Sequence, residues 1–408
     1  MSQEGRREDE DLHHLATPSG GDWVRRVHGS GADDDPRNSF ERDKDRILYS
    51  ESFRRLAHKT QVFIVTESDR FSTRILHSLE AAQIGRSLAS SLGLNAHLAE
   101  AICLGHDVGH TPFGHIGEKT IEGLLGEVLA WNSNEHSLRV LDQLEIQYPG
   151  FRGLDLTWAT REGIGRHKTP FDEPGAPLLS DLGLDEYPSP SLETQVSDVA
   201  DQVSYLTHDI HDALEYGVVT IADFDELGLD LWQRLWKVTE AEYDLEHPGG
   251  WAGVPSDLIK YRRLHRHMIG RLVDDVLRET RTRAAEVGSL DEARQLHHPI
   301  VAFSDDTQKE VTAMISFLYE KVYKSPLVAR QNAKARRILR CLFKCLTEDS
   351  LLLPFHVRER IHESDRPADQ ALRIETAFFL GELTDRAAID LYRELYSPDD
   401  RAMGHHVS

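Results

Sequence analysis

The stretch LGHDVGHTPFGHIGE, residues 104–118, packs three histidines and two carboxylates into fifteen residues. An apolar helix predicted over residues 98–104 leads into it, and Pro112 stops or bends the chain that follows. Upstream, apolar residues recur at helical spacing over 75–88, and downstream residues 192–214 read as a long helix. No hairpin dipeptide flanked by alternating apolar residues stands out anywhere in the sequence. We therefore predict a mainly α-helical protein.

The 408 residues exceed what one small core requires, which allows more than one structural region. Residues 1–36 are rich in charge, glycine and serine, and are predicted to form a flexible tail. We predict a helical core over residues 37–220, a helical C-terminal region over residues 221–400 that packs on the core, and a short tail over residues 401–408.

The formal net charge of −22 disfavours a general nucleic-acid coat, which needs a positive face. It leaves room for a local basic pocket that takes an anionic substrate. No stretch approaches the roughly 20 apolar residues of a membrane span, and the polar N-terminus has no apolar core of a signal peptide. Three cysteines are too few for a disulfide framework. We expect a soluble, cytoplasmic protein without a membrane partner.

The stretch that contains the three histidines has the residue types of a catalytic metal site. His106 and Asp107 are adjacent at a helix end, where both can turn toward one cation. His110 lies one turn further, on the same side as His106. Beyond the proline, His115 and Glu118 are three residues apart, which suits a histidine that a carboxylate orients for acid or base chemistry.

Two further clusters flank this stretch in the sequence. Arg74 and His77 are three residues apart and share one helical face. Asp201, Tyr205 and Asp209 line one face of the long helix at intervals of four residues. Such a stripe is costly to bury unless it meets a cation or hydrogen-bond donors. Histidine and carboxylate ligands without thiolate suit a divalent ion that polarises a phosphoryl oxygen, so the residues indicate metal-assisted hydrolysis of an anionic ester.

Several motifs follow one another in an order that is diagnostic when taken together. His77, then His106 with Asp107, then Asp201 give the order H…HD…D. Six longer segments contain or extend this order: ERDKDRILYSESFRRLAHKTQVF (41–63), STRILHSLEAAQIGR (72–86), LGHDVGHTPFGHIGE (104–118), LTWATREGIGRHK (156–168), DVADQVSYLTHDIHDAL (198–214) and FFLGELTDRAAIDLYRELY (378–396). Together they resemble the bacterial deoxyguanosinetriphosphate triphosphohydrolase (dGTPase) group of the HD-domain phosphohydrolases, over nearly the whole chain. The resemblance implies an HD-domain helical bundle as the catalytic core, with an α-helical C-terminal extension.

The resemblance also implies residue roles and a reaction. Four residues match the ligands of one divalent metal ion, Mg²⁺ or Mn²⁺: His77, His106, Asp107 and Asp201. Three match catalytic positions: His115 and Glu118 as histidine and acid, and His110 near the phosphates. Four match substrate contacts: Arg74 to a phosphate, and Gln61, Tyr205 and Asp209 around the sugar 3′-hydroxyl. The implied reaction is hydrolysis of a deoxynucleoside triphosphate to deoxynucleoside and inorganic triphosphate.

One segment departs from the group's usual pattern. Ser133 stands where a histidine is common, and His136 where a glutamine is common. The role of that histidine is then lost or moved to His136, which affects substrate preference and rate but not the metal site. Two other interpretations stay open: an HD phosphohydrolase that acts on another nucleotide, and a module that binds nucleotide or single-stranded DNA with weak or lost catalysis.

Basic residues supply the local positive charge that the whole chain lacks. Six of them are candidates for lining the substrate pocket: Arg55, Lys59, Arg74, Arg166, His167 and Lys168. Residues 321–340 form a second basic segment that could bind a nucleotide effector or single-stranded DNA, or be the solvated face of an amphipathic helix. The resemblance further implies a homo-oligomer and activation by nucleotides.

Overall fold

A computed structural model describes residues 11–29, 35–61, 73–168, 177–246 and 256–397. Within these ranges the chain is helical, with two isolated β-bridges, Thr60 to Thr73 and Tyr148 to Phe151. The prediction of a mainly α-helical protein is therefore confirmed. No described helix combines the length and the apolarity that are needed to cross a bilayer.

The helices are named in chain order. The α-helices are α1 Ser39–Leu48, α2 Glu51–Arg55, α3 Arg74–Leu92, α4 Ala96–Gly105, α5 His115–Leu125, α6 Ser133–Arg139, α7 Trp158–Gly165, α8 Pro177–Asp181, α9 Leu192–Glu215, α10 Ile221–Asp225, α11 Asp230–Glu246, α12 Ser256–Ala284, α13 Leu290–Gln295, α14 Asp305–Leu318, α15 Pro326–Glu348, α16 Phe355–Glu363, α17 Ala368–Glu382 and α18 Asp385–Tyr396. Single π-helical turns cover Val140–Leu144 and Tyr319–Tyr323. Short 3₁₀ turns lie at His13–Leu15, Gly21–Val24, Leu56–His58, Gly126–Val128 and Ser350–Leu352.

The chain forms two compact units, and neither is continuous in sequence. The first unit comprises Met1–Leu48, His77–His106 and Leu154–Ser325, and the second comprises Tyr49–Leu76, Asp107–Gly153 and Pro326–Ser408. The predicted boundary at residue 220 falls inside the first unit, because α12, which lies beyond that boundary, packs on α9, which lies before it.

Helices α4 and α9 form the centre of the first unit. Helix α4 packs against α1, α7 and α9, and most of its side chains are buried. A Cβ atom added at Gly105, the last residue of α4, would lie 2.5 Å from Cδ1 of Ile164 in α7. A side chain at this position would therefore displace Ile164, so glycine lets the end of α4 lie close to α7. This close approach sets the position of the next residue, His106.

Residues 11–29 differ from the flexible tail that was predicted for residues 1–36. Leu15 is fully buried, and the backbone N–H of Thr17 donates to Oε1 of Glu193 in α9 at 3.0 Å. The hydroxyl of Thr17 donates to the other oxygen of that carboxylate at 2.6 Å. A buried carboxylate thus anchors this segment, an interaction that composition alone does not reveal. Residues 1–10, 30–34 and 401–408 of the two predicted tails lie outside the described residues.

A fully buried ion pair joins α7 to α13 in the first unit. Both nitrogens at the end of Arg294 contact the carboxylate of Glu162, at 2.9 and 3.3 Å, and neither side chain is exposed. Burial raises the pKa of Glu162, while Arg294 and Arg166 act in the opposite direction. The arginine also lies 4.4 Å from the ring centroid of Tyr187. Each buried charge is therefore stabilised by the opposite charge of its partner.

Arg294→Met should lower the free energy of unfolding by about 3 kcal/mol, because removing one partner leaves the other charge buried and poorly compensated. Urea unfolding followed by circular dichroism measures this loss. The double variant E162Q/R294M should recover part of the stability, since it removes both charges. If R294M were as stable as the unchanged protein, the ion pair would contribute nothing to stability.

A separate apolar cluster holds the second unit together. Helices α5, α15, α17 and α18 converge in this cluster. Ile121 of α5 and Leu339 and Leu342 of α15 are fully buried within it. The C-terminal helices of the chain therefore pack directly on the helix that begins at His115.

Candidate functional site

Three histidines surround one carboxylate in the first unit. Asp201 on α9 places Oδ1 at 2.7 Å from Nε2 of His77 and at 3.5 Å from Nε2 of His106. Its other oxygen, Oδ2, lies 3.5 Å from Nε2 of His167, which follows α7. All four side chains are buried. Two helices, α3 and α9, and the ends of two others, α4 and α7, thus bring these side chains to one point.

The outer ring nitrogens fix how two of these histidines face the carboxylate. Nδ1–H of His106 donates to the carbonyl oxygen of Cys103 at 2.6 Å. Nδ1 of His77 lies 3.1 Å from the hydroxyl of Ser204. With its proton on Nδ1, the neutral ring of His106 directs an Nε2 lone pair toward the carboxylate of Asp201. A lone pair and a carboxylate repel each other unless a cation lies between them, and such outer hydrogen bonds are typical of metal-ligating histidines.

The donor set therefore fits a divalent cation. The ligand atoms of His106, His167 and Asp201 all lie within 4.8 Å of one another. Imidazole and carboxylate donors without thiolate suit borderline to hard divalent ions. These residues support the prediction of a divalent metal site in this protein.

His167 was not among the predicted ligands. It was predicted, with Arg166 and Lys168, to line the substrate pocket. In the structure its Nδ1 lies 2.8 Å from Oδ1 of Asp198, and its ring centroid lies 4.7 Å from that of His106. Burial lowers the pKa of His167, but Asp198 and Asp201 outweigh burial and raise it well above the usual value. Only the fold reveals this, because nothing in the local sequence places the end of α7 beside α9.

Arg166 has a structural role instead of facing a pocket. Its guanidinium donates to the carbonyl oxygens of Tyr187 and Pro188, at 2.7 and 2.9 Å, and contacts Glu162 at 3.2 Å. It therefore fixes the loop that precedes α9.

In the second unit, two cationic side chains share the carboxylate of Asp107, which directly follows His106 in the chain. Oδ1 of Asp107 lies 2.9 Å from a terminal nitrogen of Arg74 and 2.9 Å from Nε2 of His110. The Nε–H of Arg74 also donates to the carbonyl oxygen of Thr60 at 3.1 Å. The predicted phosphate contact Arg74 is thus fixed in position by the backbone and by a carboxylate.

A second carboxylate, Glu118, accepts hydrogen bonds from three side chains. Nδ1–H of His110 donates to Oε1, and the hydroxyl of Ser133 donates to the same oxygen at 2.7 Å. Nδ1 of His115 lies 3.2 Å from Oε2. The His115 side chain is 62% exposed, whereas His110 and Glu118 are mostly enclosed. A continuous polar chain therefore runs from Asp107 through His110 and Glu118 to a solvent-facing imidazole.

The charges along this chain are strongly coupled. Burial raises the pKa of Glu118, but His110 and His115 outweigh it and hold the pKa well below its usual value. Burial and Arg74 lower the pKa of His110, but Glu118 and Asp107 raise it to about 9. At neutral pH the centre of the chain is therefore an imidazolium beside an ionised carboxylate.

An unusual turn leads into α5 and positions His115. Phe113 has a φ of 66° and Gly114 a φ of 61°, and the first of these is uncommon for a residue with a side chain. The backbone N–H of Phe113 donates to Oδ1 of Asp385, the first residue of α18, at 2.9 Å. The other oxygen of Asp385 accepts from the backbone N–H of Thr60 at 3.2 Å. One buried carboxylate thus holds the turn immediately before His115.

Comparison with known proteins identifies the family. The HD domain model matches residues 74–206, and the phosphohydrolase-associated domain model matches residues 301–394. Proteins named deoxyguanosinetriphosphate triphosphohydrolase-like protein are similar over most of the chain. The one from Geobacter sulfurreducens is 38% identical, covering 90% of this chain and 91% of the relative. Those from Ralstonia nicotianae and Syntrophus aciditrophicus are 41% and 37% identical, covering 88% and 97% of this chain and 89% and 96% of the relatives.

The chain belongs to the deoxyguanosinetriphosphate triphosphohydrolase-like family of HD-domain phosphohydrolases. The HD match contains the whole Asp201 cluster of the first unit. Membership supports a hydrolase with a divalent metal.

The departure from the usual family pattern at Ser133 and His136 has a structural explanation. Ser133 bonds to Glu118, as described above. His136 donates from Nδ1 to the carbonyl oxygen of Gly109 at 2.6 Å, and its ring stacks on Phe378 with centroids 5.4 Å apart. Burial lowers the pKa of His136 to about 3, so the ring is neutral. His136 is enclosed and holds the backbone at Gly109. Ser133 instead contacts the acid–histidine group, which consists of Glu118, His110 and His115.

The predicted sugar contacts are distributed over both units. Tyr205 and Asp209 are buried on α9 in the first unit. The hydroxyl of Tyr323 donates to Oδ2 of Asp209, a contact that sequence reasoning missed because the two residues are 114 positions apart. Burial raises the pKa of both Tyr205 and Tyr323, so both keep their protons at neutral pH. Gln61 lies in the second unit, at the edge of residues 62–72, which are outside the described part of the chain.

Two groups of predicted basic residues have different environments. Lys59 is buried in the second unit, where it donates to the carbonyl oxygens of His110 and Gly381. Burial, with Arg74 and Arg55, lowers the pKa of Lys59 to about 7. Along α15, six basic residues are exposed: Arg330, Lys334, Arg336, Arg337, Arg340 and Lys344. The apolar side of α15 packs into the core, so the helix is amphipathic, and binding of DNA or an effector there stays a prediction.

Proposed function

We propose that this protein hydrolyses deoxynucleoside triphosphates to deoxynucleoside and inorganic triphosphate with the aid of a divalent metal ion. The observation that carries the proposal is the convergence of His77, His106 and His167 on the carboxylate of Asp201. The names of the relatives point to dGTP as a substrate of that group, which supports the proposal for this chain.

Four residues would hold the metal: His77, His106, Asp107 and Asp201. The first two and Asp201 are gathered in the first unit, and Asp107 is joined to His106 by a peptide bond. When bound, the ion polarises a phosphoryl oxygen and lowers the pKa of a water. A set with several imidazoles favours Mn²⁺ over Mg²⁺, because Mg²⁺ prefers oxygen ligands.

The acid–histidine group would move the protons. Glu118 is held ionised and orients both His110 and His115. The exposed imidazole of His115 would assist proton transfer during attack of water on the α-phosphorus. The protonated His110 would remain in place as a fixed positive charge near the phosphates.

Substrate charge and sugar would be recognised by other residues. Arg74 is fixed by Thr60 and Asp107, so its guanidinium is already oriented toward an anion. Tyr205 and Asp209 would surround the sugar 3′-hydroxyl together with Gln61. A hydrogen bond from Tyr323 fixes the carboxylate of Asp209 in place, which would leave little room for a ribose 2′-hydroxyl.

Product analysis tests the proposal. Purified protein is incubated with each dNTP and with all four together, in Mg²⁺ or Mn²⁺, and ion-exchange chromatography resolves the products. Deoxynucleoside with inorganic triphosphate is the expected result. Monophosphate or pyrophosphate would instead indicate a phosphohydrolase with another specificity. No product in any mixture, together with nucleotide or DNA binding, would replace the proposal with the binding-module interpretation.

A further inference from the structure

A second group of metal-ligating side chains lies in the first unit and shares no residue with the Asp201 cluster. Glu80 on α3, His208 on α9 and His265 on α12 direct one ligand atom each to a common point, and these atoms lie within 4.8 Å of one another. Oε2 of Glu80 contacts Nε2 of His208 directly and lies 3.9 Å from Nε2 of His265.

Helix periodicity explains why the group forms there. Glu80 is three residues beyond His77 on α3, and His208 is seven residues beyond Asp201 on α9, so each lies on the same helical face as the earlier ligand. Helix α12 packs along α9 and contributes His265. The group is therefore a second layer between helices, further along α3 and α9 than the Asp201 cluster.

Two features of the group point to a cation. Nε2 of His265 is buried and makes no hydrogen bond within the described part of the protein. A buried polar atom of this kind is rare and costly, and a bound ion is one of its recognised explanations. In addition, a third imidazole is close by, since the ring of His211 lies 5.6 Å from that of His265.

We propose that Glu80, His208 and His265 bind a second divalent ion of the Zn²⁺, Ni²⁺ or Co²⁺ class, with His211 in the outer part of the site. Two ligand atoms on one tetrahedral zinc are about 3.3 Å apart at usual bond lengths. The 3.9 Å between Oε2 of Glu80 and Nε2 of His265 is close to this spacing, whereas the direct contact between Glu80 and His208 has to open to admit the ion. Imidazole-rich sites of this type select later transition metals over Mg²⁺.

The surroundings suit a positive ion that is reached from solvent. His211 lies 3.5 Å from Asp212 and 3.6 Å from Glu215, which orient the ring and add negative charge. The side chain of Glu80 is 39% exposed, which leaves a path for an ion. The competing explanation is a simple ion pair between His208 and Glu80, with His265 as a neighbour that takes no part.

Counting tightly bound ions separates these explanations. The full chain is stripped with a chelator and titrated with Zn²⁺ in competition with a chromophoric chelator, and with Co²⁺ followed by its visible absorption. We expect His265→Ala and Glu80→Gln each to bind one ion fewer than the unchanged protein, and to lose one set of Co²⁺ bands.

The matched control is His267→Ala. This histidine lies on the same helix but bonds to Thr239 and Glu242, at 2.9 Å each, so its loss should not change the ion count. Circular dichroism verifies that each variant is folded. If H265A does not fold, E80Q still tests the proposal, because glutamine keeps the shape of the glutamate side chain. An equal ion count in E80Q, H267A and the unchanged protein would overturn the proposal. Because hydrolysis is measured separately, failure of this site and failure of the proposed function remain distinguishable.

Discussion

Asp201→Asn should reduce the dNTP hydrolysis rate to background and weaken binding of the metal by more than about 100-fold. Losing an outer hydrogen-bond partner of a ligand already costs 10- to 100-fold in metal affinity, and Asp201 is central to the cluster rather than outside it. The amide keeps the size of the side chain but removes the negative charge that three imidazoles share. Equilibrium Mn²⁺ binding and product formation measure the two effects.

Asp198→Asn is the matched control for this substitution. Asp198 lies on the same helix, one turn earlier, and contacts only the outer nitrogen of His167 among the three histidines. We expect D198N to lower metal affinity by no more than the roughly 10- to 100-fold that is typical when an outer hydrogen-bond partner of a ligand is lost. If D201N bound Mn²⁺ and hydrolysed dNTPs normally, neither the metal site nor the proposed function would stand as described.

Glu118→Gln should lower kcat by about 10²- to 10⁴-fold while metal binding stays intact, since this is the usual contribution of general acid–base groups. The substitution removes the negative charge to which His110, His115 and Ser133 all bond. His115→Ala should likewise abolish turnover with metal still bound. Because the side chain of His115 is mostly exposed, a loss of activity in H115A does not come from a damaged core.

Steady-state kinetics and Mn²⁺ binding on the same preparations test this pair of variants. A fall in kcat with an unchanged metal affinity supports the acid–base role. Parallel loss of metal would instead assign Glu118 to the support of the metal site. Full turnover by either variant would contradict the role that we propose for the group.

Local patterns were enough to predict the helices and the order of the motifs. The apolar residues over 98–104 and 192–214 predicted helices that correspond to α4 and α9. The pattern is readable in the sequence because both helices bury most of their side chains. The spacing of His115 and Glu118 likewise placed them in contact, since both lie in the first turn of α5.

Other features depend on contacts between distant segments, and local patterns do not contain them. His167 joins Asp201 only because α7 ends beside α9, and Tyr323 reaches Asp209 across more than a hundred residues. The position of Ser133 beside Glu118 also required the fold. The N-terminal segment looked unstructured by composition, yet Thr17 is bonded to a buried glutamate far along the chain.

Asp385 links the turn before His115 to almost the last part of the chain. During synthesis on a ribosome, residues 107–118 leave the exit tunnel long before residue 385 is made. The turn at Phe113 therefore lacks its carboxylate partner for most of translation. A nascent chain, or one that ends prematurely before α18, would carry every motif that resembles the family's active site without the support that holds His115 in position. A chain that ends before α18 therefore lacks a hydrogen bond that holds the turn immediately before His115.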